Sequence, residues 1–363
     1  MREKSLPEMK SLVYFLPASR EEGAKILATK VEKLYLATGF QARLSSGDFV
    51  GLKIHFGEKG NTGHIKPDWL KGIVNQIKEK TGRAFYTDTN TLYVGERSNA
   101  VNHLRLAAEH GFSYEKTGLP VIIADGLLGA DDVELKVDGK RIRSAKIGAA
   151  IVQADALIVL SHFTGHVQTG FGCAIKNLGM GCASRAGKLE QHSEVKPRVN
   201  PKYCTMCGLC LTSCPAQAII QQEGVAKIIE ERCLGCGECL VICKVGAIKM
   251  RWDEDSRRIQ EKMTEYALAV RNYFGPKIVF LNFLLQITKD CDCLAKNQRP
   301  ILEDIGLLAS FDPVAIDKAS VDLVLKKAER DVLRENYDLD WSIQLKYGEE
   351  IGLGFMSYEL KEL

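Results

Sequence analysis

Two cysteine runs carry the clearest chemistry in this chain. Both have the pattern C-x₂-C-x₂-C-x₃-C, and together they supply eight of its 12 cysteines: Cys204, Cys207, Cys210 and Cys214, then Cys233, Cys236, Cys239 and Cys243. Three thiolates at this spacing can surround one face of an iron–sulfur cubane. Gly208 and Gly237 would let the backbone approach the inorganic sulfides. The spacing therefore predicts two [4Fe–4S] clusters.

The fourth cysteine of each run is expected to ligate the cluster of the other run, because it begins a short helix that points away. The first cluster is then held by Cys204, Cys207, Cys210 and Cys243. The second is held by Cys233, Cys236, Cys239 and Cys214. A disulfide framework is disfavoured because no secretory signal is present. A zinc ribbon is disfavoured because it uses two ligand pairs rather than four-cysteine runs.

A second group of reactive residue types occupies residues 161–192, directly after a predicted buried strand. In α/β proteins, ligands bind where such strands end. We predict that a histidine here supplies a proton and a lysine stabilises negative charge. The predicted catalytic residues are His162, His166, Lys176, Asn177 and, from a later segment, Asp304. The alternative is a surface loop with solvated histidines.

Two earlier loops are expected to complete this pocket, since both follow predicted parallel strands. They contribute His64 and Asp88, which with Arg185 are the predicted cofactor-binding residues. The loop Gly57–Gly63 lacks the ending of a phosphate-binding P-loop and the dinucleotide fingerprint, so NAD is not supported and a flavin stays open. The segment Asp290–Cys293 could bind a further metal with Cys173 or Cys182, or could hold reduced thiols.

Short apolar runs alternate with amphipathic stretches along the rest of the chain. This pattern predicts an α/β fold, with a mostly parallel sheet covered by helices and an inserted α+β ferredoxin-like domain. The predicted division is 1–194 for the first α/β part, 195–252 for the ferredoxin domain and 253–363 for the second α/β part. Asp138-Gly139 predicts a type I′ hairpin turn, and Asp312 a helix N-cap before Pro313.

Length and charge set broader limits on function. A chain of 363 residues predicts two or three domains, and a net charge of +3 favours neither nucleic acid nor a membrane surface. No apolar run approaches the roughly 20 residues of a membrane span, and the first ten residues lack the apolar core of a signal peptide. We therefore expect a cytoplasmic protein, and oxygen-sensitive clusters suggest an anaerobic prokaryote.

Several strings resemble the domain-of-unknown-function family 362, whose members often carry a ferredoxin unit in this place. They are Ser161–His166, Gly170–Cys182, Thr288–Cys293, Asp304–Gly306 and Ser310–Asp317. The resemblance covers nearly the whole chain and implies no settled reaction.

The same region also resembles the nickel-pincer lactate racemases. There a catalytic histidine precedes a glycine-rich run that ends in lysine. This resemblance implies that His166 is an acid or base, Lys176 a cofactor anchor and His192 a metal ligand.

Three functions remain open at this point. The first is a redox enzyme whose clusters pass electrons from a partner ferredoxin to a small-molecule substrate or cofactor near the predicted catalytic residues. The second is a non-redox isomerase or lyase with structural clusters. The third is an electron carrier or assembly factor without a substrate of its own. The first explains why a ferredoxin unit would be built into a catalytic domain.

Overall fold

A computed structural model describes residues 10–93, 95–192, 196–214, 216–233, 237–249 and 255–363. Its strands, numbered in chain order, are β1 (Ser11–Pro17), β2 (Phe49–Ile54), β3 (Arg83–Asp88), β4 (Val121–Ile123), β5 (Asp132–Lys136), β6 (Ser144–Gly148), β7 (Ala156–His162), β8 (Thr164–His166), β9 (Gly170–Gly172), β10 (Arg198–Val199), β11 (Ile219–Gln222), β12 (Val225–Ile228), β13 (Ile248–Lys249), β14 (Ile278–Leu284), β15 (Gly306–Ser310) and β16 (Tyr358–Glu362).

The α-helices, numbered likewise, are α1 (Ala24–Ala37), α2 (Lys71–Thr81), α3 (Ala100–Glu109), α4 (Tyr114–Thr117), α5 (Ala149–Val152), α6 (Ala174–Gly179), α7 (Arg185–His192), α8 (Leu209–Thr212), α9 (Glu238–Ile242), α10 (Ser256–Phe274), α11 (Pro313–Ala328), α12 (Val332–Asn336) and α13 (Ile343–Glu350). Short 3₁₀ helices occupy Arg20–Glu22, Phe40–Arg43, Pro67–Leu70 and Glu230–Arg232. None of these described helices has the length and apolar character needed to span a membrane.

An eight-stranded sheet organises the molecule, with the order β16-β1-β15-β14-β7-β2-β3-β4. Its neighbouring strands are parallel except at β15, which is antiparallel to both β1 and β14. The carboxyl ends of β2, β3, β7 and β14 therefore meet at one edge, and the loops that follow them leave the sheet together. The predicted α/β fold with a mostly parallel sheet is confirmed.

Helices cover both faces of the sheet because its central strands are apolar on both sides, as in β7 with its run Ala156–Leu160. On one face, α1, α2 and α3 pack over side chains such as Leu52 and Ile158. On the other, α6, α10, α11 and α13 pack over side chains such as Leu157 and Phe280. Two separate apolar cores result, one on each side of the sheet.

The cysteine runs lie between α7 and α10, outside the main sheet. This segment contains the short helices α8 and α9 and two small antiparallel pairs, β10 with β13 and β11 with β12. Gly208 and Gly237 precede α8 and α9 with positive φ angles of 77° and 72°, a conformation that favours glycine. The division into three sequence segments stays a prediction.

The predicted hairpin forms with a longer connection than a type I′ turn. The strands β5 and β6 pair antiparallel, but residues 137–143 join them instead of the dipeptide alone. The Glu265 carboxylate of α10 accepts hydrogen bonds from the backbone N–H groups of Lys140, Arg141 and Ile142. These contacts from a helix distant in the sequence keep the connection longer than a two-residue turn. The dipeptide Asp138-Gly139 alone does not indicate them.

Two aspartates of the last α/β part act as helix caps. As predicted, Asp312 caps α11, because its carboxylate accepts from the N–H groups of Val314 and Ala315 at 2.8 and 3.0 Å. The second cap was not predicted. Asp317 lies within α11 and accepts from the N–H groups of Ala174 and Ile175 at 2.9 Å, at the start of α6. It therefore fixes the helix that carries the candidate catalytic residues.

We predict that Asp317→Ala destabilises the fold by about 2–4 kcal/mol, because it leaves buried N–H donors of α6 and the Asn282 amide without their acceptor. Urea-induced unfolding, followed by far-UV circular dichroism, measures the change. The matched control is Asp138→Ala, which removes a carboxylate that is fully exposed. Equal stability of the two variants would contradict the capping role.

Candidate functional site

A cavity of about 1080 Å³ lies at the carboxyl edge of the sheet. Its walls come from β2, β3, β7 and α6 and from the loops that follow β2, β3 and β14. Five predicted site residues line it: Asp88, His162, His166, Lys176 and Asn177. The sequence thus predicted part of the cavity lining. The parallel strands place the remaining lining residues at the same edge of the sheet.

A fully buried ion pair forms the floor of the cavity. The Lys53 ammonium of β2 lies 2.9 Å from the Asp88 carboxylate of β3 and donates to the Asn177 side-chain oxygen of α6 at 2.7 Å. Burial alone would raise the pKa of Asp88, but nearby positive charges, first that of Lys53, lower it. Asp88 therefore stays a carboxylate, and its contact with Lys53, together with the Lys53–Asn177 hydrogen bond, joins three separate elements.

A second buried cation extends this network towards the cavity mouth. The Arg97 guanidinium lies 3.5 Å from Asp88 and 3.4 Å from Glu58, and it donates to the Tyr93 hydroxyl. Asn177 in turn donates to the Leu160 carbonyl at 2.9 Å. Each charge in the floor thus has a partner of opposite sign, as buried ions require.

Two further lysines face the cavity without a carboxylate partner among the described residues. Burial lowers the pKa of both Lys176 and Lys188 to about 8. Lys188 donates to the Thr89 hydroxyl and the Ala183 carbonyl, which carry no charge. A Cβ at Gly172 would meet the Lys176 side chain at 2.7 Å, so the glycine leaves room for it. The cavity can therefore attract an anion.

His162 and His166, four residues apart, have opposite electrostatic environments. The Nδ1 atom of His162 lies 2.7 Å from the Asp292 carboxylate, and its Nε2 lies 2.7 Å from the Leu285 carbonyl. Both partners are acceptors, so both ring nitrogens donate. Burial would lower the pKa of His162, but Asp292 raises it above its ordinary value. His162 is therefore an imidazolium that positions the loop after β14.

The second histidine is neutral. Burial and the nearby charge of Lys176 lower the pKa of His166 well below its ordinary range. Its Nδ1 lies 2.9 Å from the Thr169 hydroxyl, while its Nε2 makes no hydrogen bond with the described residues. Burial and neighbouring lysines likewise lower the pKa of His192, which lines the same cavity, to about 3. The unprotonated Nε2 of His166 can accept a proton or bind a metal.

Cysteines also line the cavity, beside His166. Cys291 and Cys293 follow β14, face His166 and are joined by a disulfide bond. Cys173 and Cys182, the partners considered from the sequence, are buried as free thiols, and burial raises the pKa of each. The described residues whose ligand atoms come together are instead Cys291, Cys293 and His166.

Three predicted site residues lie outside the cavity walls. Asp304 forms an ion pair with Arg20 at 2.8 Å and accepts from the Gln286 N–H, so it fastens the loop after β14. His64 stacks on His110 with ring centroids 4.3 Å apart. Arg185 is fully buried and paired with Glu238 at 2.6 Å. The structure gives these three side chains positioning contacts within the protein.

The predicted cluster ligands surround two small cavities. One is lined by four cysteines: Cys204, Cys207, Cys210 and Cys243. The other is lined by three: Cys214, Cys233 and Cys239. Cys236, the fourth predicted ligand of this second set, lies outside the described residues. In this grouping Cys243 lies with three cysteines of the first run, and Cys214 lies with two of the second.

Backbone N–H groups point at several of these sulfurs. Ala218 donates to the Cys214 sulfur at 3.3 Å, and Ala247 donates to the Cys243 sulfur at 3.2 Å, at equivalent places after the two runs. Such contacts stabilise thiolates and adjust the potential of a bound cluster. The donor set and its surroundings therefore suit an iron–sulfur group.

The cysteine segment is in contact with the cavity region. Leu92, which lines the cavity, packs in one apolar cluster with Cys210 and Leu240 of the cysteine segment. The Arg185–Glu238 pair joins α7 to α9 at the second cysteine cavity. An apolar cluster and an ion pair thus connect the two candidate sites.

Sequence reasoning predicted Asp88 and Asn177 of the charged floor but missed its two cations, Lys53 and Arg97. Lys53 had a signal, since it is the single charged residue in the strand Phe49–Ile54. Arg97 had no such signal in the sequence, because it lies in an irregular stretch before α3. The segment Asp290–Cys293 was recognised, but its partner His166 could not be chosen without the fold.

We predict that the Lys176 amine is acylated with a half-maximal rate near pH 8, because burial favours its neutral, nucleophilic form. Below this pH most of the amine is protonated and does not react, and well above it the acylation rate reaches its maximum. Peptide mass spectrometry after pulses of acetic anhydride at increasing pH measures the midpoint. Exposed Lys33 is acylated in the same samples as the reference. A midpoint for Lys176 near the ordinary lysine pKa of about 10.4 would contradict the prediction.

Comparisons with solved structures give distant similarities. A Thermotoga maritima protein has a TM-score of 0.44 and 8% identity over 89% of this chain and 61% of its own. The lactate racemase apoprotein from Thermoanaerobacterium thermosaccharolyticum has a TM-score of 0.37 and 13% identity over 77% of this chain and 52% of its own. The chain thus spans between half and two thirds of their lengths.

The comparison with curated proteins gives no match. A family model does match, over residues 50–322, which include the sheet strands from β2 to β15, the cavity and the cysteine runs. The matched residues make up about three quarters of the chain. The protein therefore belongs to the family described as Domain of unknown function (DUF362).

Proposed function

We propose that this protein is a redox enzyme. In this proposal it receives electrons from a small partner such as a ferredoxin and delivers them to an anionic substrate or cofactor in the cavity at the carboxyl edge of the sheet. The proposal is supported by the apolar cluster and the ion pair that connect the cysteine segment to the cavity region. A packed contact of this kind keeps the distance between donor and acceptor fixed.

Two [4Fe–4S] clusters would be held by the eight cysteines of the two runs. One set is Cys204, Cys207, Cys210 and Cys243, and the other is Cys233, Cys236, Cys239 and Cys214. When bound, such clusters supply one-electron transfer. The apolar cluster that contains Leu92, Cys210 and Leu240 joins the cysteine segment to the cavity lining and would exclude water from that path.

In this proposal the cavity residues bind the anion, exchange a proton and support the other two groups from below. Lys176 and Lys188 present positive charge to an anion, and in a buried cavity this charge acts more strongly than it would in water. His166 is neutral and can accept or return a proton through Nε2. Asn177 and Lys53 form a rigid floor beneath them. The arrangement suits a substrate that gains negative charge during reduction.

We predict that Cys204→Ser lowers the iron content from about eight atoms per chain towards about four, because it removes one ligand of a single predicted cluster. The matched control is Cys182→Ser, which replaces a buried cysteine outside both runs and should keep the full iron content. Anaerobic purification followed by iron and acid-labile sulfide analysis measures the difference. Equal iron in the two variants would contradict the ligand assignment.

The redox role is tested by anaerobic stopped-flow spectroscopy. Dithionite-reduced protein is mixed with small oxidising anions, namely pyruvate, fumarate and crotonate, and the visible absorbance is followed. We expect at least one anion to reoxidise the wild-type protein, with a rate at least about tenfold lower in Lys176→Ala, since loss of one charge-stabilising contact costs at least that much. Lys33→Ala, at an exposed position on α1, is the control.

Two results would favour the other functions. Reoxidation at equal rates in wild type and Lys176→Ala would indicate an electron carrier that does not use the cavity. Turnover of a cavity-bound anion that persists in well-folded Cys204→Ser protein would indicate a non-redox isomerase or lyase with structural clusters.

A further inference from the structure

One wall of the cavity brings together three soft donor groups. The ligand atoms of His166, Cys291 and Cys293 all lie within 4.8 Å of one another. Two sulfurs and an imidazole nitrogen form a donor set that zinc and similar divalent metals prefer. This group is separate from the cysteine runs, and it lines the cavity directly.

The hydrogen bonds of His166 leave the required nitrogen available. The Thr169 hydroxyl lies 2.7 Å from the Phe171 carbonyl and 2.9 Å from Nδ1 of His166. Because the hydroxyl has a single hydrogen, which it donates to the carbonyl, Nδ1 donates to the hydroxyl oxygen. The Gln168 N–H contact with Nδ1 is longer, at 3.3 Å. The lone pair is therefore on Nε2, as in metal-binding histidines whose other nitrogen is a donor.

The loop that carries the two cysteines is braced on three sides. The Asp292 carboxylate lies 2.7 Å from Nδ1 of His162, and the Asp292 carbonyl accepts from the Glu58 N–H at 2.9 Å. The Cys293 carbonyl accepts from the Tyr93 hydroxyl at 3.1 Å. These contacts tie the loop to the ends of β7 and β2 and to the loop after β3. The backbone of the loop that carries the two cysteines is thus held in place before any ligand arrives.

We propose that Cys291, Cys293 and His166 bind one divalent cation of the zinc class when their disulfide is reduced. An external dithiol reduces the S–S bond with two electrons and two protons and becomes a disulfide itself. Binding of the cation to the two resulting thiols releases both protons. The site does not require the iron–sulfur clusters, but it uses Nε2 of His166, so His166 exchanges a proton only while no cation is bound.

Three protein ligands leave one position for a substrate atom or water. Structural zinc sites are closed by four protein ligands, whereas catalytic sites keep a position open. Within the described residues the group contains three, and it faces the space that Lys176 and Lys188 share. The ligand for the open position is therefore an anion with an oxygen donor, such as a carboxylate, whose charge the two ammonium groups balance.

The test is zinc binding by the full chain with its iron in place. Protein that contains its full complement of iron is reduced anaerobically with a phosphine, incubated with zinc and passed through a desalting column. We expect about one zinc per chain, and a zinc-edge X-ray absorption spectrum with two sulfur neighbours. Diamide oxidation before the addition of zinc should abolish this binding.

Variants identify the ligands. Cys293→Ser and His166→Gln should weaken zinc binding more than about 100-fold, because loss of a supporting contact alone costs 10–100-fold. Thr169→Val should weaken zinc binding by only about 10–100-fold, since it removes the acceptor for His166 Nδ1–H. Cys182→Ser, which is buried away from the group, should bind zinc as the wild type does. Absence of zinc from the reduced wild type, or equal zinc in all variants, would overturn the proposal.

Discussion

Buried charge is the constraint on which the candidate site depends. Lys53 is fully buried in the middle of the sheet, and an ion taken out of water costs several kcal/mol unless a partner of opposite charge is in place. Asp88 supplies that partner, and Asn177 supplies the remaining acceptor. Because the three residues come from β2, β3 and α6, satisfying one charge also fixes the relative positions of these elements. Rearranging this floor of the cavity would separate paired buried charges and is therefore energetically unfavourable.

The sequence predicted the fold well where the signal was local. Apolar runs such as Ala156–Leu160 identified the buried strands, and Asp312 before Pro313 identified the start of α11. Parallel strands then implied that the loops after β2, β3 and β7 share an edge. The Asp138-Gly139 turn was predicted wrongly because the backbone there is held by Glu265, about 125 residues away, through contacts that no local rule contains.

The predicted site shows the same division between local and distant signals. His166, Lys176 and Asn177 were found because they follow the end of a buried strand directly. Asp304 was predicted to be a catalytic residue, yet its carboxylate binds Arg20 from the first turn after β1. Nothing near either residue in the sequence indicates this pair, since 284 positions separate them.

Protonation states were also beyond the sequence. His162 and His166 are the same residue type four positions apart, but one faces the Asp292 carboxylate and the other faces the Lys176 ammonium. Burial lowers the pKa of both histidines, and the neighbouring charges, which lie on different elements, make the net shifts opposite. A residue type in a motif therefore indicates what chemistry is available, while the fold decides which member performs it.

The ends of the cysteine segment have an evolutionary consequence. The strands β10 and β13, which open and close the segment, are hydrogen-bonded neighbours, with Val199 opposite Ile248. A stretch of chain whose ends meet can be gained or lost in one genetic event, because the gap it leaves can be closed by a short linker at little entropic cost. The Arg185–Glu238 pair would then be lost, so such an event would select for a new partner for this buried guanidinium.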